Sequence, residues 1–137
     1  MAASRSYFID TGAWVALAVS SDSHHAQAVE TWSHLNQSGA KRFTSIPVII
    51  ETFTFLERNT TRNTALRWQE QMSALPRLAI WEASQQDMSQ ALSYFSRNDL
   101  HKLSLVDAIS FVQMRRHKVT LAFSFDTHFS VAGFDLA

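Results

Sequence analysis

A chain of 137 residues, 46% hydrophobic and 18% charged with 3 Gly and 2 Pro, suits a folded domain with its own core and excludes a disordered chain. Its formal net charge is +0, so a polyanionic partner must be held by a local patch or a metal ion rather than by bulk charge. The sequence contains 0 Cys, which excludes disulfides and thiolate metal centres.

The run YFIDTGAWVALAV near the N-terminus is the stretch closest to a secretory apolar region. Asp10 interrupts it, Arg5 alone precedes it and no small-residue cleavage pattern follows. No uninterrupted apolar run approaches the roughly 18 residues that span a bilayer. The expectation is a soluble, cytoplasmic protein without a membrane partner.

Within that run, Ser6 to Asp10 predicts a buried first strand, followed by a helix from about Thr11 to Ser20. Ala26, Val29, Trp32 and Leu35 recur about one turn apart and predict a second helix, which Gly39 ends. Lys41 to Ser45 reads as a second strand. Ser45 then caps a helix with Pro47 in its first turn, where a missing N–H does little harm. A further helix runs from about Thr61 to Ala74, until Pro76 breaks the pattern. Arg77 to Trp81 is a third strand, and Ser84 to Arg97 and Ser104 to His117 are helical. Val119 to Phe123 is a fourth strand; a short turn or helix from Asp126 to Ser130 leads to an edge strand near Gly133 to Leu136.

No repeat, low-complexity tract or linker divides the chain, so residues 1–137 read as a single domain. Strands alternating with helices predict a three-layer α/β/α sandwich around a central, mainly parallel sheet of four to five strands.

Four carboxylates stand out: Asp10, Glu51, Asp107 and Asp126. Asp10 falls at the carboxyl end of the first strand and Asp126 just beyond the fourth. If those strands flank the point where strand order reverses, the two acids meet in one crevice. Each also has a plainer explanation. Asp10 and Asp126 are good N-caps, and Ser104 with Asp107 fits the S/T-x-x-D/E capping pattern. Glu51 resists this account, because it lies past the first turn of its helix. At about 100° per residue its neighbours are Pro47, Val48, Thr54 and Phe55, and those of Asp107 include Leu103, Phe111 and Met114. Carboxylates on apolar faces need a partner, and a shared divalent cation with oxygen ligands supplies one.

The segments FIDTGAWVAL, TSIPVIIETFTFL, LSLVDAISFVQMRRHKV and AFSFDTHFSVAGF follow one another as in PIN-domain proteins. Over essentially its whole length the chain resembles the VapC-like toxin ribonucleases. The resemblance implies a PIN-like sandwich and a Mg²⁺- or Mn²⁺-dependent endoribonuclease that hydrolyses RNA phosphodiester bonds. It also implies the toxin half of a type II, VapBC-like pair, with a small antitoxin partner and a homodimer. Asp10, Glu51, Asp107 and Asp126 would be its catalytic and metal-binding acids, Asp10 and Asp107 foremost. Thr11 and Ser124 stand where the family often has a hydroxyl near the ion, while Gly12 stands where a serine is frequent.

Two alternatives share the scaffold: a free-standing RNA-processing nuclease, and a catalytically silent RNA- or partner-binding domain. The basic run Arg115, Arg116, His117 and Lys118 suits the cationic end of a helix dipole or an RNA phosphate patch. His24 and His25 read as exposed residues near a helix start, and His128 as a solvated loop residue or a phosphate contact. Trp14, Trp32, Phe53 and Phe55 suit the core, a homodimer face or an antitoxin groove.

Overall fold

Tyr7, Phe8 and Ile9 have no exposed side-chain face in the computed structural model, which describes residues 5–137. A strand covered by helices on both sides demands such a run. It forms β1 (Ser6–Ile9), the middle of a parallel sheet with β2 (Lys41–Ser45), β3 (Leu78–Trp81), β4 (Leu121–Phe123) and β5 (Asp135–Leu136). The strand order is β3-β2-β1-β4-β5. The chain steps outward from β1 through β2 to β3, then returns to build β4 and β5 on the other side. Strand order therefore reverses between β1 and β4, and a crevice opens at their carboxyl ends.

The helices are α1 (Thr11–Ala18), α2 (His25–Gln37), α3 (Ile46–Asn59), α4 (Arg62–Ser73), α5 (Gln85–Ala91), α6 (Leu105–Arg116) and α7 (Thr127–Val131). Right-handed crossovers place α1 to α4 on one face and α5 to α7 on the other, in keeping with which helices pack together. Three layers result, with the apolar core on both sides of the sheet. Among the described residues, no helix is long and apolar enough to cross a membrane.

Local chemistry sets the element ends. Ser45 caps α3, its Oγ accepting the Val48 N–H at 3.2 Å, and Pro47 sits in the first turn. Gly39, at φ 70°, turns the chain out of α2 into β2. The continuous helix expected over Ser84 to Arg97 divides: α5 ends at Ala91 and a 3₁₀ segment covers Leu92–Ser96. Ser93 and Ser96 each donate a hydroxyl hydrogen bond to the carbonyl three residues earlier, at 2.8 and 2.9 Å. These local bonds compete with the α-helical pattern and suit the tighter turn.

Trp14 is buried and Trp32 partly buried against the core. Trp14 donates its indole N–H to Thr44 Oγ1 at 3.2 Å and meets Trp68 edge-on, with ring centroids 5.7 Å apart. The three tryptophans line a cavity of about 330 Å³ together with Met72 and Leu75. Phe53 is partly buried, whereas Phe55 is exposed.

Two helices begin with the same Ser-x-x-Asp pattern, and the two aspartates are used differently. In α5 the box closes: Ser84 Oγ accepts the Asp87 N–H at 3.0 Å, and Asp87 Oδ2 accepts the Ser84 N–H at 3.1 Å. Asp87 also pairs with Arg116 and, despite its burial, is held below the usual carboxylate range by those donors. In α6 Ser104 Oγ accepts the Asp107 N–H at 3.1 Å, but the carboxylate is turned elsewhere.

Replacing Asp87 by alanine removes a cap and the partner of Arg116 and should cost about 2 kcal/mol. Because the folded value of Asp87 is lowered, this contribution is present at neutral pH and is lost as pH falls through the carboxylate range. Urea melts at pH 7 and pH 3 would show the wild-type advantage shrinking in acid.

Candidate active site

Four separate segments supply acids near the carboxyl ends of β1 and β4. Asp10 follows β1 directly, and its N–H bonds the Phe123 carbonyl of β4 at 3.1 Å, so the backbone ties the two strand ends together. It occupies the N-cap position of α1, yet its side chain makes no capping bond. Instead Oδ2 accepts the Ser124 hydroxyl at 2.9 Å. The Ser124 Oγ in turn accepts the Asp126 N–H at 3.0 Å, so one hydroxyl fixes both acids. Asp126 does cap α7, accepting the His128 N–H at 2.9 Å.

Asp107 enters from the first turn of α6 and is 6% exposed. Its carboxyl sits beside that of Asp126, one oxygen of each lying within 4.8 Å of the other. Burial pushes Asp107 up to about 9, with the neighbouring Asp10, Asp126 and Glu51 carboxylates adding to the rise. Burial likewise pushes Asp10 up to about 7, against the Ser124 hydrogen bond, and the Glu51 and Asp126 charges act in the same direction as burial. Asp126 goes the other way. Burial opposes its ionisation, but the Asp107 hydrogen bond and the His128 N–H and ring hold it below the usual range.

His128 completes the cluster. Its Nε2 lies 2.6 Å from the His101 carbonyl, which requires an N–H there. Its Nδ1 lies 3.0 Å from Asp126 Oδ1 and 3.8 Å from Asp107 Oδ2. One ligand atom each from Asp107, Asp126 and His128 falls within 4.8 Å of the others. Composition alone gave His128 no such weight; its spacing of two from Asp126 on a one-turn helix was the available signal.

Glu51, in the second turn of α3, is partly buried and close enough to raise both Asp10 and Asp107. Its expected neighbours divide: Val48 is buried, while Thr54 and Phe55 are exposed. It stands at the edge of an open groove of about 740 Å³, lined also by Ile46, Pro47, Ile50, Glu82 and Val106.

The donor set fits a hard divalent cation. Asp10 Oδ1 and Thr11 Oγ1 are buried oxygens that no protein group bonds. Such atoms are costly to bury without a partner. Around them are carboxylates whose mutual repulsion and burial favour uptake of positive charge, and oxygen is the ligand that Mg²⁺ and Mn²⁺ prefer.

The basic run lies elsewhere. Arg116 is about nine residues along α6 from Asp107, roughly 14 Å at 1.5 Å per residue, and pairs with Asp87. The Arg115 guanidinium bonds the Ala132 carbonyl and Tyr94 and lies 4.8 Å from the Phe134 ring. Lys118 is exposed, beside Arg5 and Thr120 at the start of β4. The two arginines are thus engaged in packing α5, α6 and α7 together rather than aimed at the acids.

The model of the PIN domain matches residues 7–135. The chain belongs to the PIN-domain family. This PIN domain is 33% identical to the 23S rRNA-specific endonuclease VapC20 of Mycobacterium tuberculosis over 128 residues, 93% of this chain and 94% of that protein. The crystal structure of the same toxin, described as cleaving the sarcin–ricin loop, superposes with a TM-score of 0.83 at 30% identity, covering 93% of this chain and 95% of that one. VapBC2 of Rickettsia felis, solved with a DNA fragment from its promoter, shares the fold at a TM-score of 0.66 and 11% identity, covering 96% and 97%.

Ser124 links the Asp10 carboxylate to the backbone N–H of Asp126. Ser124→Ala should therefore lower any activity of the site about tenfold and cost about 1 kcal/mol of stability. Steady-state rates and thermal melts of the variant would check both.

Proposed function

We propose that this PIN domain is an endoribonuclease that hydrolyses RNA phosphodiester bonds with Mg²⁺ or Mn²⁺, and that it is the cytoplasmic toxin of a VapBC-like pair. The observation that carries the reading is the gathering of Asp107, Asp126 and His128 within 4.8 Å of one another, with Asp10 tied to Asp126 through Ser124, at the reversal of strand order. Asp10, Glu51, Asp107 and Asp126 would hold the ion, with Thr11 and Ser124 supplying hydroxyls at its margin. When bound, the ion supplies charge neutralisation at the phosphodiester and a lowered pKa for attacking water.

The protein's own groups do the positioning. Ser124 keeps Oδ2 of Asp10 occupied, so that Oδ1 is the oxygen free to ligate. Asp126, held below the usual carboxylate range, stays ionised near neutral pH and can accept a hydrogen bond from water. His128 is fixed by the His101 carbonyl, the arrangement that orients a ring nitrogen toward a cation or a phosphate. The reading extends to a small antitoxin partner and a homodimer, for which exposed Ile46, Ile50 and Phe55 on α3 offer apolar surface.

The relatives' activity points to the first substrate to try, a hairpin carrying the 23S rRNA sarcin–ricin loop. With Mn²⁺ or Mg²⁺, the wild type should yield discrete products and Asp10→Asn essentially none. Equal cleavage by both proteins, or no cleavage of ribosomal RNA by either, would remove the assignment.

A further inference from the structure

Phe125 lies between two residues of the acidic site, Ser124 and Asp126, and carries a second ring on its outer side. His24, from the α1–α2 connection, stacks on it with ring centroids 4.4 Å apart and planes inclined by 15°. The His24 side chain is 50% exposed. A flat ring covered on one face and half exposed presents its other face to solvent.

That face is held in place. The His24 N–H bonds Asp22 Oδ1 at 2.8 Å, and His25 is anchored through Nδ1 to the Ala16 carbonyl at 2.7 Å. Behind the pair, Phe125 meets buried Phe123 at 6.1 Å, and Phe123 meets Trp32 at 6.4 Å. A row of rings thus runs outward from partly buried Trp32 through Phe123 and Phe125, the residue before Asp126, and ends at His24. Neither the acids nor the core explains a ring stacked outward at that place.

We infer that the His24–Phe125 stack is a platform for an unpaired nucleobase of the RNA, next to the phosphate held by the acids. The inference rests on the ribonuclease reading above and adds a positioning element to it. Bases in single-stranded segments and loops stack on aromatic and histidine rings whatever their identity, because each has a π-face. A platform adjoining the acids would hold one nucleotide splayed from its neighbours and so present the adjoining phosphodiester to the crevice.

The test is binding of fluorescently labelled sarcin–ricin hairpin RNA to Asp107→Asn protein, with and without the further change His24→Ala. The His24→Ala change should weaken binding about tenfold, within the range that one stacked base supplies. His24→Phe should retain the affinity within about twofold. With an abasic nucleotide placed in turn at each loop position, the His24 dependence should vanish at one position and persist at the others. Equal affinity with and without His24→Ala, no measurable binding, a matching loss in His24→Phe, or a His24 effect that survives at every abasic position would overturn the platform. Cleavage by the wild type is read separately. If it is absent while the base-dependent binding holds, the nuclease reading falls and the platform stands.

Discussion

Asp107→Asn is expected to abolish RNA cleavage while making the metal-free protein more stable at pH 8. The loss of activity follows from removing one of the central carboxylates that would hold the ion. Several kcal/mol of transition-state stabilisation depend on such a ligand, so a fall of about a thousandfold is expected.

The gain in stability follows from the opposite side of the same chemistry. Asp107 is raised from 3.8 to about 9 in the folded protein. Below about pH 4 the carboxyl is protonated whether the chain is folded or not, and it imposes no penalty. As pH rises from there toward 9, the unfolded chain releases a proton that the folded chain retains, and stability declines. Asparagine is nearly isosteric with the protonated carboxyl and carries no charge at any pH. Without divalent ions the variant should melt on the order of 5 °C above wild type at pH 8, a gap that closes near pH 4. Thermal melts in chelator across this range would decide it. A variant less stable at pH 8, or a gap indifferent to pH, would contradict the buried, protonated Asp107.

Chelation should abolish cleavage, and Mn²⁺ or Mg²⁺ should restore it. The same ions should raise the melting temperature, because an ion bound to the folded form at a hundred times its dissociation constant adds about 2.7 kcal/mol. For a chain of this size that is on the order of 10 °C. The shift should be larger at pH 8 than at pH 5. Binding must displace the protons that Asp107, at about 9, and Asp10, at about 7, otherwise retain, so affinity rises as pH passes through that window. Calorimetric titrations with Mn²⁺ in buffers of different ionisation enthalpy would count the protons released. A melting temperature unaffected by EDTA would speak against a site formed before substrate arrives.

Much of this geometry is readable from the sequence because it follows from local rules. The apolar run at Tyr7–Ile9 marks a strand covered on both faces, Ser45 with Pro47 marks a helix start, and Gly39 marks a helix end. Strands alternating with helices then make the parallel sheet. The reversal of strand order that joins Asp10 to Asp126 was a condition attached to that pattern, and it depends on long-range pairing that no single segment contains. The two Ser-x-x-Asp starts show where local reading stops. Asp87 closes its own box and binds Arg116, whereas Asp107 turns to Asp126, and the difference lies in what packs opposite each helix. Arg115 and Arg116 look like a free cationic patch in one dimension, yet their partners come from α5, the loop after α7 and the 3₁₀ segment. His24 is similarly opaque, because its ring acquires its neighbour, Phe125, from about a hundred residues away along the chain.

The most direct measurement is the anomalous scattering of manganese in crystals of the wild-type protein. The account predicts a peak in the crevice between the carboxyl ends of β1 and β4, bonded to carboxylate oxygens of both Asp10 and Asp107 at roughly the 2.0–2.4 Å expected of hard divalent ions. Manganese bound elsewhere, with no density beside Asp10 or Asp107, would contradict it.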